Sequence, residues 1–162
     1  MIQEKYNRQI FDEGTEDAIL RLSHLRSNVL SPVGISGEDD VLILEPDSPA
    51  LVEWLESQAA KVTVAKNDEV KNLSGGFSVI VSLGQPGETP TVLKSKLGVG
   101  GRLVYALPEK ARLADFVKRL LKEAGFNEIE TFRVSPDYLF TTEIYAEDYI
   151  GGGAGDYLLI AK

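Results

Sequence analysis

Glu45 and Asp47 stand two residues apart in "VLILEPDSPALVEWL" (41–55), directly after the apolar run Val41–Leu44. At the C-terminal end of a buried strand, such a carboxylate pair could hold a metal ion or move protons, because open α/β sheets gather their ligands at that end. A second reading asks for no chemistry: the two acids solvate a turn and favour the N-terminus of the following helix electrostatically. Lys66 closes the run "KVTVAK" (61–66) and is expected to pair with one of them across the cleft. Ser48, Ser82 and Gln85 complete the polar set at the ends of neighbouring strands.

What the chain lacks narrows the chemistry further. It has no cysteine and one histidine, His24, so a thiol nucleophile, a thiolate metal site and a histidine-cluster metal site are all excluded. His24 falls near the apolar side of a helical segment, where a structural role is the expectation. No serine stands in the strand-turn-helix elbow of a hydrolase. The glycine runs "GVGG" (98–101) and "GGGAG" (151–155) lack the strand, glycine turn and helix order that aims amides at an anion, and they read as turns.

A formal net charge of −8 argues against a nucleic-acid partner, which needs a concentrated positive face. Lys110, Arg112, Lys118, Arg119 and Lys122 do cluster, but on one amphipathic segment mixed with acids. No apolar run approaches the roughly 18 residues of a membrane span, and no membrane partner is expected. The first residues, "MIQEKYNRQIFDEGTEDAIL", lack the basic flank and apolar core of a secretory signal, which makes a cytoplasmic location the simplest reading.

These residues need elements to position them. Apolar spacing predicts a helix over 14–30, followed by a break at "SPVGISGEDD". Strands are expected at 41–46, 61–66, 77–84, 101–109 and 126–134, with a last strand "YLLIAK" (157–162). Helices follow at 48–60, with Ser48 as N-cap and Pro49 in first position, at 89–98, and at 110–125, with Gly125 as the terminal glycine. "GGGAG" could be the loop of an antiparallel hairpin or the exit from an irregular segment. Alternating strands and helices imply an α/β fold, a mostly parallel sheet with helices on both faces and an antiparallel last strand. The whole chain, 1–162, is expected to be a single domain, with a helical extension at 1–37 and a core at 38–162.

Four stretches of that core resemble class I S-adenosylmethionine-dependent methyltransferases, which have a three-layer Rossmann-like fold. "VLILEPDSPALVEWL" falls where the family has its first strand, glycine-rich turn and helix. "FSVIVSLG" (77–84) looks like its fourth-strand motif, "LKSKLGVGGRLVYAL" (93–107) is similar to its leucine, double-glycine and strand pattern, and "LLKEAGFNEIE" (120–130) is similar to its Ala-Gly-Phe pattern. "YNRQIFDEGTEDAILRL" (6–22) is similar to the segment that precedes methyltransferase-like domains in some bacterial glycan-biosynthesis proteins.

Departures from the family pattern are as informative. The turn glycines, which let the backbone approach the cofactor, correspond here to Glu45, Asp47 and Pro49. The acid that accepts the ribose hydroxyls corresponds to Lys66, which has donors only; a shifted register would put Asp68 there. The segment between the second and third strands is too short for the family's usual helix and strand, so the sheet is expected to lose an edge strand.

The resulting expectation is a degenerate methyltransferase-like domain that has lost S-adenosylmethionine. It would have no catalysis of its own and would serve as a binding or assembly module for a protein partner, linked to bacterial glycan biosynthesis. The alternative is an active S-adenosylmethionine-dependent methyltransferase with an atypical cofactor site at the cleft positions Glu45, Asp47, Ser48, Lys66, Ser82 and Gln85. A sensor for another small ligand in the same cleft is a third possibility. Tyr138, Phe140, Tyr145 and Tyr149 are dense before the last strand and fit either an interaction surface or plain packing.

Overall fold

The computed structural model describes residues 2–84, 87–147 and 155–162. Two helices, Ile2–Glu13 (α1) and Glu16–Leu22 (α2), open the chain, and a 3-10 segment follows over His24–Val33. The helix expected over 14–30 is therefore broken. Ser23 leaves helical dihedrals, and its hydroxyl accepts the Leu25 N–H, which restarts the chain in a new direction.

Asp40–Leu44 (β1) is apolar beyond its first residue and is buried there, as an unbroken apolar run requires. Pro49–Gln58 (α3) leads from it to Lys61–Ala65 (β2), which pairs in parallel with β1. The only regular structure between β2 and Phe77–Leu83 (β3) is a 3-10 turn over Asn67–Asn72, so β2 is an edge strand, as the short spacing predicts. Pro90–Lys96 (α4) and Leu97–Leu107 (β4) follow, then Ala111–Glu123 (α5), ended by Gly125 at a φ of 94°. Ile129–Pro136 (β5) and Thr141–Ala146 (β6) form an antiparallel hairpin, and Asp156–Ala161 (β7) inserts antiparallel between β4 and β5. The seven strands lie in the order β2-β1-β3-β4-β7-β5-β6, and β1 to β4 are parallel.

Alternate residues of the strands feed two cores. Leu42, Ile80, Leu103 and Tyr105 face Leu93 of α4 and Val117 and Leu121 of α5. On the other face, Val41, Ile43, Val79 and Val81 meet Leu51 and Leu55 of α3 and Val29 and Leu30 of the 3-10 segment. This is the α/β architecture expected, with helices on both faces of a mostly parallel sheet.

Two details differ from the sequence reading. "GVGG" lies inside β4: Phe77 pairs with Leu97 and Val79 with Arg102, so the glycines absorb a register shift instead of making a separate turn. The strand β6 was not expected, because Thr142 and Glu143, adjacent and both exposed, put polar residues on both of its faces and break the apolar pattern. "GGGAG", read as a hairpin loop or the exit from an irregular segment, lies largely outside the described residues.

Candidate functional site

The C-terminal ends of β1, β2 and β3 converge on one crevice. Glu45 leaves β1 with a φ of 44°, the left-handed region that favours glycine and costs other residues about 1 kcal/mol. It occupies the first glycine position of the resemblance and keeps a glycine-like backbone. Its carboxylate turns toward the end of β2, accepting the backbone N–H of Asn67 at 3.2 Å and a further bond from Asn67 Nδ2. Asn67 begins the 3-10 turn, so Glu45 supplies an acceptor to one of its unpaired amides. Gly87 packs against the same amide, and a Cβ there would sit 2.1 Å from Nδ2.

Asp47 accepts a 2.6 Å bond from Arg26 Nη2. The Arg26 side chain is 1% exposed and also donates from Nη1 to the Leu20 carbonyl at 2.7 Å, whereas Asp47 is 62% exposed. The expected pairing of Lys66 with Glu45 or Asp47 does not form among the described residues. Asn67 and Arg26 take the two carboxylates instead, and the exposed Lys66 has its backbone N–H held by Glu69 at 3.0 Å.

Ser48 is fully used by the fold. Its hydroxyl accepts the Leu51 N–H at 3.1 Å as the α3 N-cap and donates to the Arg21 carbonyl, tying α3 to α2. Ser82 is buried in β3 between Leu44 and Tyr105. Gln85 lies outside the described residues.

Tyr138, in the β5–β6 turn, closes the crevice from above. A Cβ on Gly84, whose φ is 97°, would lie 2.9 Å from the Tyr138 hydroxyl. Burial raises the Tyr138 phenol above its ordinary pKa; Asp47 adds to the rise and Arg26 opposes it, so all three sit within electrostatic reach. Beside them, Glu45, Pro46, Val64, Ala65, Lys66 and Glu69 line an open depression of about 410 Å3.

The arrangement supplies carboxylates that are already satisfied inside the chain and an exposed ammonium. No group of three or more His, Asp or Glu side chains that could hold a metal occurs among the described residues, so the metal reading of Glu45 and Asp47 gains nothing. His24 is exposed and opens the 3-10 segment, where it lines a separate 180 Å3 hollow with Tyr6 and Trp54. Trp54 is half-buried against the core, as its helical spacing implies. Of the aromatic group, Tyr138 packs onto the core, Phe140 borders a surface depression, Tyr145 bonds Glu143, and Tyr149 lies outside the described residues.

Three crevice residues escaped the sequence reading: Arg26, Asn67 and Tyr138 in its closing role. Arg26 left a signal, since it stands four residues from both Leu22 and Leu30 on an apolar stripe, where a cation needs a buried partner. Asn67 left none.

No protein-family model and no curated protein sequence matches the chain. Solved structures do. A precorrin-6Y C5,15-methyltransferase from Geobacter metallireducens is 15% identical, with 85% of this chain and 86% of that one covered at a TM-score of 0.53. The targeted domain of a putative precorrin-6Y C5,15-methyltransferase from Corynebacterium diphtheriae is 17% identical, with 86% and 95% covered at 0.53. An S-adenosylmethionine-dependent methyltransferase from Thermotoga maritima, described as a possible histamine N-methyltransferase, is 13% identical, with 99% of both chains covered at 0.51. The chain has the class I methyltransferase fold.

Proposed function

We propose that this methyltransferase-fold chain has lost S-adenosylmethionine binding and acts as a binding or assembly module. The observation that carries the reading is Glu45. It keeps the glycine-like backbone of the first turn, yet its carboxylate is folded onto Asn67 at the end of β2, where the resemblance puts the ribose. A nucleoside entering there would have to displace that contact, and Lys66 offers no acceptor to its hydroxyls. Asp47 and Arg26 fill the next part of the turn, and Tyr138 stands over Gly84. Three contacts of the chain with itself thus crowd the cleft, beside the open depression lined by Glu45, Lys66 and Glu69.

The module's partner is a protein, and its setting in bacterial glycan biosynthesis rests on residues 6–22 alone, which form most of α1 and α2. Calorimetric titration with S-adenosylmethionine and S-adenosylhomocysteine, at protein concentrations that would register millimolar binding, tests the reading. The expected result is no heat beyond dilution. Saturable binding would overturn it and leave the active methyltransferase with an atypical site as the function.

A further inference from the structure

A hollow of 180 Å3 opens where α1, the 3-10 segment and α3 meet. Ala50, Trp54 and Ser57 fall at helical spacing on one face of α3 and form one wall. Tyr6 comes from α1, and Ser23, His24 and Ser27 come from the start of the 3-10 segment. The hollow shares no lining residue with the depression at Glu45, so its use does not depend on whether the cofactor is lost.

Its polar groups are only partly spent. Tyr6 donates its phenol proton to Glu53 at 2.5 Å, and Ser27 and Ser57 donate theirs to the carbonyls of His24 at 2.8 Å and Trp54 at 2.6 Å. Ser23 is 7% exposed, and its oxygen accepts the Leu25 N–H at 3.1 Å. The Ser23 hydroxyl proton, the Trp54 indole N–H and the His24 imidazole have no partner among the described residues. Ser27 keeps acceptor capacity on its oxygen, and a neutral imidazole offers one donor and one acceptor. The wall therefore matches a group that both donates and accepts, and a hydroxyl is the smallest such group. No Asp, Glu, Lys or Arg lines the hollow, and Lys5 and Glu53 pair with each other at 3.5 Å. A charged ligand would lose water there without gaining a counter-ion.

We infer that this hollow binds a small uncharged ligand of the phenol class, a single aromatic ring bearing a hydroxyl. An apolar cavity of ~150 Å3 accommodates a benzene ring, and 180 Å3 leaves room for one substituent. The ring takes the apolar part of the hollow, among Tyr6, Ala50 and Trp54, where aromatic pairs favour offset or edge-to-face contact. The hydroxyl takes the part lined by Ser23, His24 and Ser27, accepting from an uncommitted donor and giving its proton to a free lone pair.

Trp54 is the single tryptophan of the chain, so its fluorescence, excited beyond the absorption of tyrosine and phenol, reports on this hollow. Titrating the whole chain with phenol at neutral pH should give a saturable change. Benzoate and benzylamine, similar in shape and opposite in charge, should bind about tenfold more weakly or worse, because each would bury an unpaired charge. His24→Ala should weaken phenol by about two- to tenfold, the range of one neutral hydrogen bond, and leave the affinity for benzene, which has no hydroxyl, unchanged. Ser57→Phe sets a ring against the hollow and should abolish the saturable response. His24 and Ser57 are exposed, so thermal melts of both variants should match the parent chain. A phenol response that never saturates, as collisional quenching gives, would overturn the inference. So would benzoate or benzylamine binding as tightly as phenol, a phenol affinity indifferent to both substitutions, or an equal loss of phenol and benzene in His24→Ala.

Discussion

At residue 45 the backbone and the side chain make opposite demands. The dihedral is one that glycine adopts freely, whereas the carboxylate is held by Asn67 and would be lost with glycine. Replacement by alanine loses the carboxylate and keeps the strain; replacement by glycine loses the carboxylate and removes the strain. The glycine variant should therefore be more stable than the alanine variant by about 1 kcal/mol in urea unfolding. Equal stabilities would mean that the left-handed turn relaxes when the side chain is cut back. Asp47 and Arg26 are unequal partners in a similar way: removing Asp47 strands a buried guanidinium, whereas removing Arg26 leaves a carboxylate already in water. The positions of Glu45 and Asp47 were legible in sequence because a strand-turn-helix frame is local. Their partners were not, since Arg26 and Asn67 reach them only through tertiary contacts.

Among the elements, the lower end of the sheet depends on Asp39, which precedes β1. Its carboxylate accepts the Ser36 N–H and the Ser78 hydroxyl, each at 2.8 Å, and a bond from Arg102 Nη2 at 3.3 Å, joining the starts of β1 and β3 to the middle of β4. Burial alone would raise its pKa. The bonds from Ser36 and Ser78 and the Arg102 charge more than offset that and hold it below the ordinary carboxylate value. A carboxylate with a lowered folded-state pKa contributes stability above its unfolded value, about 3.9, and loses it as the pH falls through the folded value. Asp39→Asn should therefore destabilise the chain at pH 7, and the gap should close on acidification below about pH 4. Urea midpoints across that range measure it; a gap that persists in acid would assign the role of Asp39 to packing. At this scale the strands with continuous apolar runs, β1, β3, β4 and β7, were readable because burial on both faces leaves an unmistakable composition. Helix 14–30 was misread, since Leu22, Leu25 and Val29 keep helical spacing across Ser23 while the backbone does not. The side-chain pattern records which residues are buried, and two short segments can bury the same stripe as one long helix.

Across the whole molecule, the two edges of the sheet differ in what lies against them. The far edge, β6, is held by the 3-10 segment, where Asn28 Nδ2 donates to the Thr141 carbonyl at 2.8 Å. The near edge, β2, has no strand beyond it among the described residues. Its ladder to β1 fixes which amides are free: Lys61 donates to Asp39 and Ala65 accepts from Glu45, so Lys61, Thr63 and Ala65 face β1 and the backbone groups of Val62 and Val64 face outward. Val64 is also half exposed in its side chain. Such an edge is a template for another strand, here kept to five residues with Lys61 at one end and Lys66 just past the other. Native-state hydrogen exchange reads this residue by residue. Amides of Val41–Leu44, Val79–Val81 and Leu158–Ile160 should exchange only on global opening, while β2 should alternate, with Thr63 and Ala65 protected and Val62 and Val64 exchanging orders of magnitude faster. Uniform protection along β2 would mean that a further strand covers this edge in solution.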